Sequence, residues 1–456
     1  MRKATIHNLG CKVNSYEAKA MEEMLEKEGY NLVSFEQFAD VYIVNTCTVT
    51  NIADRKSRQM LQKARKRNPK AVVIAVGCYV QSVDAKLLFD AGVDIVIGND
   101  NKHKLSELLR EYWQEREGGH LKRKENEVDS KEKEVNSKKN EVESKRSEVK
   151  DISRSVAYEP LEITKPIRRT RGEIKIQDGC EQYCAYCIVP YVRGPIRSRS
   201  LTDIVREATN SAKNGCREVV LTGINLSSYG KDLQTGEDLL LVVQKIHEID
   251  GIERIRLGSL EPRTISGGFV KALACLPKFC PHFHLSLQSG SDTVLRRMNR
   301  DYSTTVYNDK CRLIRDYFEN PGITTDIIVG FPGETEDEYE ETKAFVDRIG
   351  FSEIHVFSYS PRQGTEAAAM ENQIPSQVKS KRSKELIALG EKKKREYRKM
   401  FVGKTVEVLI EDEITQEGQR RQVGYTKEYV KVAVKSEENL KNCIVSVNIS
   451  DEAQII

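Results

Sequence analysis

EIKIQDGCEQYCAYCIVPYVRG, residues 173–194, runs a short strand pattern straight into three cysteines. Gly179 permits a tight turn, and Cys180, Cys184 and Cys187 follow in C-x3-C-x2-C spacing. Three thiolates this close can wrap a compact inorganic centre. Structural zinc normally takes four closed ligands, and no fourth Cys or His follows at finger spacing. Fe–S clusters usually take four cysteines, so three would leave one iron open to a substrate or cofactor.

Outward from this stretch the chain alternates strand and helix signals. Six strand patterns, EIKIQDG (173–179), REVVLTGI (217–224), RIRLGSL (254–260), HFHLSLQ (282–288), ITTDIIVGF (323–331) and EIHVFSYS (353–360), are separated by helical stretches. Six βα units without a seventh and eighth predict a partial (βα)6 barrel, open on one side, with its chemistry at the C-terminal strand ends. Residues 1–112 repeat the alternation on a smaller scale and predict a parallel α/β sheet domain. Residues 113–165 carry a charged repeat in which Val128, Val135, Val142 and Val149 recur every seven residues, each after Glu. A coiled coil needs two apolar positions per heptad and this offers one, so the segment is expected to be a solvated linker. The barrel-like core is expected over 166–397. KTVEVLIEDE, YVKVAVK and NCIVSVNIS then predict a small β-barrel module over 398–456. The fold class is α/β with that β module appended.

A chain of 456 residues exceeds one ordinary core, and a charged fraction of 31% indicates material besides packed domains. The net charge of +4 does not by itself argue for nucleic acid. MRKATIHNLGCKVN lacks an apolar leader, and AVVIAVGCYV (71–80) is about half of what spans a bilayer, so a cytoplasmic protein with no membrane partner is expected. Eleven cysteines in a reducing compartment read as metal ligands or catalytic groups rather than disulfides.

The C-x3-C-x2-C loop after the first barrel strand resembles the radical S-adenosylmethionine (SAM) enzymes. LTGINLSSYG (221–230), GSLEP (258–262), HLSLQSGSD (284–292), MNRDY (298–302), DIIVGFPGET (326–335) and SPRQGT (360–365) resemble one subgroup, the methylthiotransferases. The resemblance covers nearly the whole chain outside 113–165. It implies that Cys180, Cys184 and Cys187 hold a [4Fe–4S] cluster whose open iron chelates SAM. Reductive SAM cleavage then gives the 5′-deoxyadenosyl radical.

The same family accounts for Cys11 (HNLGCKVN), Cys47 (VNTCTVT) and Cys78 (AVGCYVQ), each at the carboxyl end of an expected parallel strand. Any one alone reads as an ordinary buried cysteine. Together they suit a second three-cysteine site, by resemblance the auxiliary [4Fe–4S] cluster that supplies the sulfur. Gly223, Asn225, Glu261 and Gln288, at the ends of the second to fourth barrel strands, are the SAM-pocket candidates. Cys216, Cys275, Cys280, Cys311 and Cys443 match no ligand position, and His282 and His284 receive no catalytic role; no residue is singled out as catalytic. Ser358 stands where the family pattern leads one to expect proline.

Basic residues concentrate at 51–70, at 163–175 continuing to Arg193, Arg197 and Arg199, and at 381–400. Each run borders a proposed cluster or the terminal module, which suggests a path for a phosphate backbone. The β module resembles the RNA-binding TRAM domain, with Tyr425 and Tyr429 available to stack on bases or to pack. The resemblance implies 2-methylthiolation of an adenine in the tRNA anticodon loop, using two SAM molecules, an electron donor of the reductase or flavodoxin type and a sulfur donor system. GCKVN (10–14), CAYCIVPYVRG and the TRAM-like tail look most like the branch acting on N6-threonylcarbamoyladenosine. The isopentenyladenosine branch and the branch modifying a ribosomal-protein aspartate are the alternatives. A non-catalytic metal-cluster RNA-binding protein is the alternative of another class.

Overall fold

The computed structural model describes residues 1–125, 145–164, 170–416 and 418–456. They form two compact units. The first comprises Met1–Ile163, Gly179–Glu181 and Ile188–Pro195, and the second Thr164–Asp178, Gln182–Cys187 and Ile196–Ile456.

The first unit is built on six parallel strands: β1 (Lys3–Asn8), β2 (Asn31–Leu32), β3 (Val41–Thr46), β4 (Val72–Gly77), β5 (Ile95–Ile97) and β6 (Arg146–Glu148). Their order is β2-β1-β3-β4-β5-β6. Every residue of VYIVNT and VVIAVG is buried, as parallel strands covered on both faces require. Ile43, Ile74 and Val76 pack with Met21 and Leu25 of the helix Lys12–Lys27 on one face. Tyr42, Val44 and Val73 pack with Leu61 and Ala64 of the helix Asn51–Arg67 on the other. Burial of each such Val, Ile or Leu is worth about 1.5–3 kcal/mol.

The segment expected as a linker takes part in this unit. The helix that begins at Leu105 continues to Glu125, and Arg146–Glu148 pairs with β5 as the sixth strand. The edge of β5 would otherwise expose unpaired backbone groups, and a charged strand is a suitable outermost partner. Val149 packs against the core beneath it. Val128, Val135 and Val142 lie outside the described residues.

The second unit carries β7 (Arg171–Lys175), then the antiparallel pair β8 (Gln177–Asp178) and β9 (Arg197–Ser198), between which the cysteine loop is inserted. Next come β10 (Glu218–Thr222), β11 (Arg254–Leu257), β12 (Ser259–Leu260), β13 (His282–Leu285), β14 (Gly322–Val329) and β15 (Glu353–Ser358). The parallel sheets β11-β10-β7 and β12-β13-β14-β15 continue one another, since only Gly258 separates β11 from β12. All six expected strand patterns are therefore strands, in sequential order, and the partial barrel is present. Alternation sets its two faces: Val219, Leu221, Ile255, Phe283, Ile323 and Ile327 join the apolar core shared with the helices. Residues between them, such as Glu218, Arg256, His284 and Asp326, face the concave side.

The chain ends in four antiparallel strands, β16 (Thr405–Gln416), β17 (Gln419–Tyr425), β18 (Lys431–Val434) and β19 (Ile444–Asn448), ordered β18-β17-β16-β19. A bulge between Ile410 and Asp412 accompanies the curl of this half-barrel. Arg254 donates to the carbonyls of Tyr425 (2.7 Å) and Glu407 (3.0 Å), and Arg256 to that of Lys427 (2.9 Å), which fastens the module to β11.

Candidate functional site

Cys11 follows β1 and stands at the N-cap of the helix Lys12–Lys27; Cys47 follows β3 directly; Cys78 follows β4 and opens the short helix Cys78–Ser82. Because β1, β3 and β4 are adjacent and parallel, the three cysteines share one edge of the sheet. A Cβ added at Gly10 would lie 3.1 Å from the Cys47 sulfur, so the Cys11 turn passes close against that thiol. Burial pushes the Cys47 thiol up to about 11; the thiols of Cys78 and Cys11 add to the rise, while the Val49 backbone and Arg193 oppose it. Such a thiol is protonated at neutral pH, and a bound metal centre would displace the proton.

Sulfurs around one tetrahedral zinc lie about 4 Å apart. Among the described residues, the one group of three metal-binding side chains with all ligand atoms within 4.8 Å is on β13–β15 and contains no cysteine. The sulfurs of Cys11, Cys47 and Cys78 thus do not all fall within 4.8 Å of one another.

A buried cation completes this set. Arg193, at the end of the helix Val189–Arg193, is 1% exposed. Its Nε donates to the Cys78 sulfur at 3.3 Å, Nη1 to Glu17 Oε1 at 2.7 Å and Nη2 to Asn14 Oδ1 at 2.7 Å. Asn14 in turn accepts from the Cys11 thiol at 3.6 Å. Lys102, fully buried, stands 3.5 Å from Glu17. Donors to cluster sulfurs and nearby charge are the levers by which a protein sets a cluster's potential.

Both ends of the loop that carries the other cysteines are held by glycine. Gly179 has φ of +74°, and a Cβ there would meet the Pro195 carbonyl at 1.8 Å. Gly194 has φ of +71°, and a Cβ there would fall 2.2 Å from Ile152 O. The Cys180 N–H donates to Gly194 O (3.0 Å) and the Cys187 N–H to Cys184 O (2.9 Å). In the second unit Arg300 Nη1 donates to the Cys184 sulfur at 3.1 Å and to Gln182 Oε1 at 3.2 Å. Arg300 is also 3.3 Å from Glu261, which accepts from Gln182. Glu261 is thereby tied to the cysteine loop.

Asn225 donates its N–H to Gln177 Oε1 at 2.8 Å, and Gly223 leaves room beside the same side chain. Gln288 adopts the left-handed region, φ +69°, a strained position for a residue with a side chain. Its N–H donates to Asp326 O and its carbonyl accepts from Ile328 N–H, both at 2.9 Å, so β14 clamps it at its strand end. Arg300 is not among the sequence candidates, although MNRDY contains it, because nothing local in the sequence signals a cysteine partner 116 residues away.

Two expectations for the phosphate path change. Arg193, Arg197 and Arg199 are 1%, 1% and 4% exposed and serve internal ion pairs, Arg197 with Asp178 and Arg199 with Glu207. They are structural cations. Tyr425 and Tyr429 stack on each other at 4.6 Å, with Arg171 4.8 Å over Tyr425 and Arg256 4.7 Å over Tyr429. Of the two readings of these tyrosines, packing is the one realised. In the helix Asn51–Arg67, Lys63 and Arg67 pair with Glu36 and Arg65 with Asp94, while Arg55, Lys56, Arg58 and Lys66 are at least partly open to solvent. Among the described residues no helix is long and apolar enough to cross a membrane.

Residues 3–98 match the family described as uncharacterized protein family UPF0004, and residues 174–346 match the Radical SAM superfamily. The chain is 37% identical over 450 residues to a threonylcarbamoyladenosine tRNA methylthiotransferase of Bacillus subtilis, covering 98% of this chain and 94% of that one. It is 33% identical over 454 residues to a tRNA-2-methylthio-N(6)-dimethylallyladenosine synthase of Alkaliphilus oremlandii, covering 98% and 90%. Among solved structures, a radical S-adenosylmethionine methyltransferase of Kitasatospora setae matches in fold with a TM-score of 0.53 at 16% identity, covering 81% of this chain and 75% of that one.

Proposed function

Since the chain belongs to the radical SAM methylthiotransferase family, we propose that it converts N6-threonylcarbamoyladenosine at position 37 of tRNA to its 2-methylthio derivative. The carrying observation is the placement of Cys11, Cys47 and Cys78 at adjacent strand ends, in a chain that also holds the Cys180, Cys184 and Cys187 loop. Each set would hold one [4Fe–4S] cluster. With SAM bound, these centres supply the radical that removes the C2 hydrogen and the sulfur that replaces it. No general base could take that hydrogen, which explains why the family uses radical chemistry on an unactivated carbon.

The protein's own residues have narrower tasks in this reading. Arg193 and Arg300 place positive charge beside one cysteine of each set. Gly223, Asn225, Glu261 and Gln288 shape the SAM pocket; Glu261 is held by Arg300 and Gln182, and Gln288 by β14. Residues 1–112 would carry the auxiliary cluster, 166–397 the radical chemistry and 398–456 the grip on RNA. Pairing of Arg146–Glu148 with β5 supports extending the first of these to include that strand. An anticodon loop is a suitable substrate because its bases are unstacked at small cost, a few kcal/mol at most. A reductase or flavodoxin-type protein would deliver electrons, a sulfur donor system would restore the auxiliary cluster, and the cytoplasm, where tRNA is handled, would be the site of action.

Nucleoside mass spectrometry of tRNA from cells lacking the protein tests this reading. Loss of 2-methylthio-N6-threonylcarbamoyladenosine is expected. Loss of the isopentenyl counterpart instead would move the assignment to that branch, and an unchanged nucleoside profile would overturn the proposal.

A further inference from the structure

The concave face of the partial barrel is polar, and most of its charge near the N-terminal strand ends is neutralised. Arg256 pairs with Glu218 at 2.8 Å, and Arg254 is spent on carbonyls of the terminal module. Further along, three adjacent strands contribute His284 from β13, Asp326 from β14 and His355 from β15. Register pairs Thr324 with His284, and Asp326 with His355. Their neighbours Phe283, Leu285, Ile323 and Ile327 lie in the core with the helices, and Ile354 and Val356 pack against it, so the three turn the other way. His284 Nε2 is 3.3 Å from Asp326 Oδ2, and the two imidazoles stack at 6.0 Å. His284 Nδ1 is 2.9 Å from Thr324 Oγ1, which fixes the ring. One donor or acceptor atom from each of the three falls within 4.8 Å of the others, and His355 is exposed on the open side.

His284 lies four residues before Gln288 and Asp326 four before Gly330, the turns just beyond the carboxyl ends of β13 and β14, at most about 13 Å of chain away. A base whose C2 must meet chemistry at those ends would extend its N6 substituent along this wall. A threonylcarbamoyl group carries N–H donors, a hydroxyl, a carbonyl and a carboxylate. An isopentenyl group carries only hydrocarbon. Imidazole N–H groups can donate to a carboxylate or carbonyl, and the Asp326 carboxylate can accept from an N–H or hydroxyl.

We propose that His284, Asp326 and His355 read the N6 substituent of the target adenosine, admitting a hydroxyl- and carboxylate-bearing group and rejecting an apolar one. The proposal rests on the substrate reading above and supplies its physical basis. His284 is already engaged by Thr324 and Asp326, so an apolar substituent would displace water from His355 and from the outer Asp326 oxygen without giving them a partner, and sites built to hydrogen-bond a substrate reject analogues lacking those groups by on the order of 10⁴–10⁵.

The test uses the full chain with both clusters reconstituted and three anticodon stem-loops, bearing unmodified, isopentenylated or threonylcarbamoylated adenosine. For H355F and D326N, KM for the threonylcarbamoyl loop is expected to rise at least tenfold. Affinity for the unmodified loop, iron content and SAM affinity should stay unchanged. H355Q, which keeps a donor, should recover part of the loss. Equal losses on all three loops would assign the residues a structural role and overturn the proposal, as would unchanged discrimination. Retention of stoichiometric zinc by the wild type, lost in H355F with discrimination intact, would overturn it in favour of a cation site. Should the wild type methylthiolate only the isopentenyl loop, the substrate reading itself falls; should it accept the threonylcarbamoyl loop while the variants discriminate normally, only this inference falls.

Discussion

The guanidinium of Arg193 donates from Nε to the sulfur of Cys78 at 3.3 Å while its Nη1 grips Glu17 at 2.7 Å, so one buried cation serves both a candidate cluster ligand and a buried carboxylate. The tripeptide Tyr191-Val192-Arg193 belongs to the loop of the other cysteine set, with Arg193 six residues beyond Cys187. The segment is thus continuous in sequence with one cysteine set while its arginine contacts a member of the other.

Replacing Arg193 by Gln should be costly in two measurable ways. Removing one partner of a buried ion pair typically costs 3–5 kcal/mol, and Lys102, 3.5 Å from Glu17, offsets part of it, so about 3 kcal/mol is expected from urea unfolding. In reconstituted R193Q the auxiliary cluster should become harder to reduce, because loss of a donor and a positive charge favours the oxidised form. Potentiometric EPR reads that shift, and an unchanged potential would remove Arg193 from the cluster's surroundings.

Iron content separates the two cysteine sets. The reconstituted chain should hold roughly eight irons if both sites carry four-iron clusters. The triple variant C11A/C47A/C78A should keep about half and still yield 5′-deoxyadenosine from SAM without methylthiolated RNA. Full iron retention would exclude these cysteines as ligands.

Arg300 predicts a different phenotype. Its bonds to Cys184 and Glu261 join the radical loop to the proposed SAM pocket. Changes to partners of this kind commonly cost about 10–100-fold. R300Q should weaken SAM binding by about that factor, measured by equilibrium dialysis, with the auxiliary cluster's EPR signal unaltered.

Salt dependence distinguishes the solvent-facing cations from the buried ones. Taking away one cation that neutralises a phosphate flattens the slope of log affinity against log salt by about 0.7–0.9. Substituting Arg55, Lys56, Arg58 and Lys66 by Gln should flatten the tRNA slope by up to about 3.6. Arg197→Gln and Arg199→Gln should lower the melting temperature and leave the slope alone, since both side chains are buried in ion pairs. A slope unaffected by the four changes on the helix would clear it of RNA binding.

Acid sensitivity is expected from Glu338. The Arg297 guanidinium, bonded at 2.7 Å and 2.8 Å, holds its carboxyl down to about 2, with Thr293 and the Thr335 N–H assisting against desolvation. A folded-state value below the unfolded one adds stability that is complete above pH of about 4.5 and lost as pH falls toward 2. E338Q should therefore be less stable than wild type at pH of about 6 and nearly equal to it at pH of about 2 in denaturant melts.

Local pattern was enough for a large part of this molecule. Six strand patterns predicted six barrel strands because period-two apolar alternation is enforced by the pleat itself. Cys180, Cys184 and Cys187 were legible because their spacing is a property of eight consecutive residues. The charged segment was legible only in composition: Arg146–Glu148 has no apolar signature, and its strand exists because β5 offered an unpaired edge.

Sequence by itself determined the elements, their order and the identity of the candidate ligands, since each depends on residues near one another in the chain. Tertiary structure alone decided which charges remain available. Arg193, Arg197 and Arg199 read as a basic run, yet desolvation forces each toward a carboxylate brought from elsewhere, Glu17, Asp178 and Glu207. It also decided that Arg300 meets Cys184 and that His284, Asp326 and His355 share one concave wall, because adjacency across parallel strands is set by register between segments tens of residues apart.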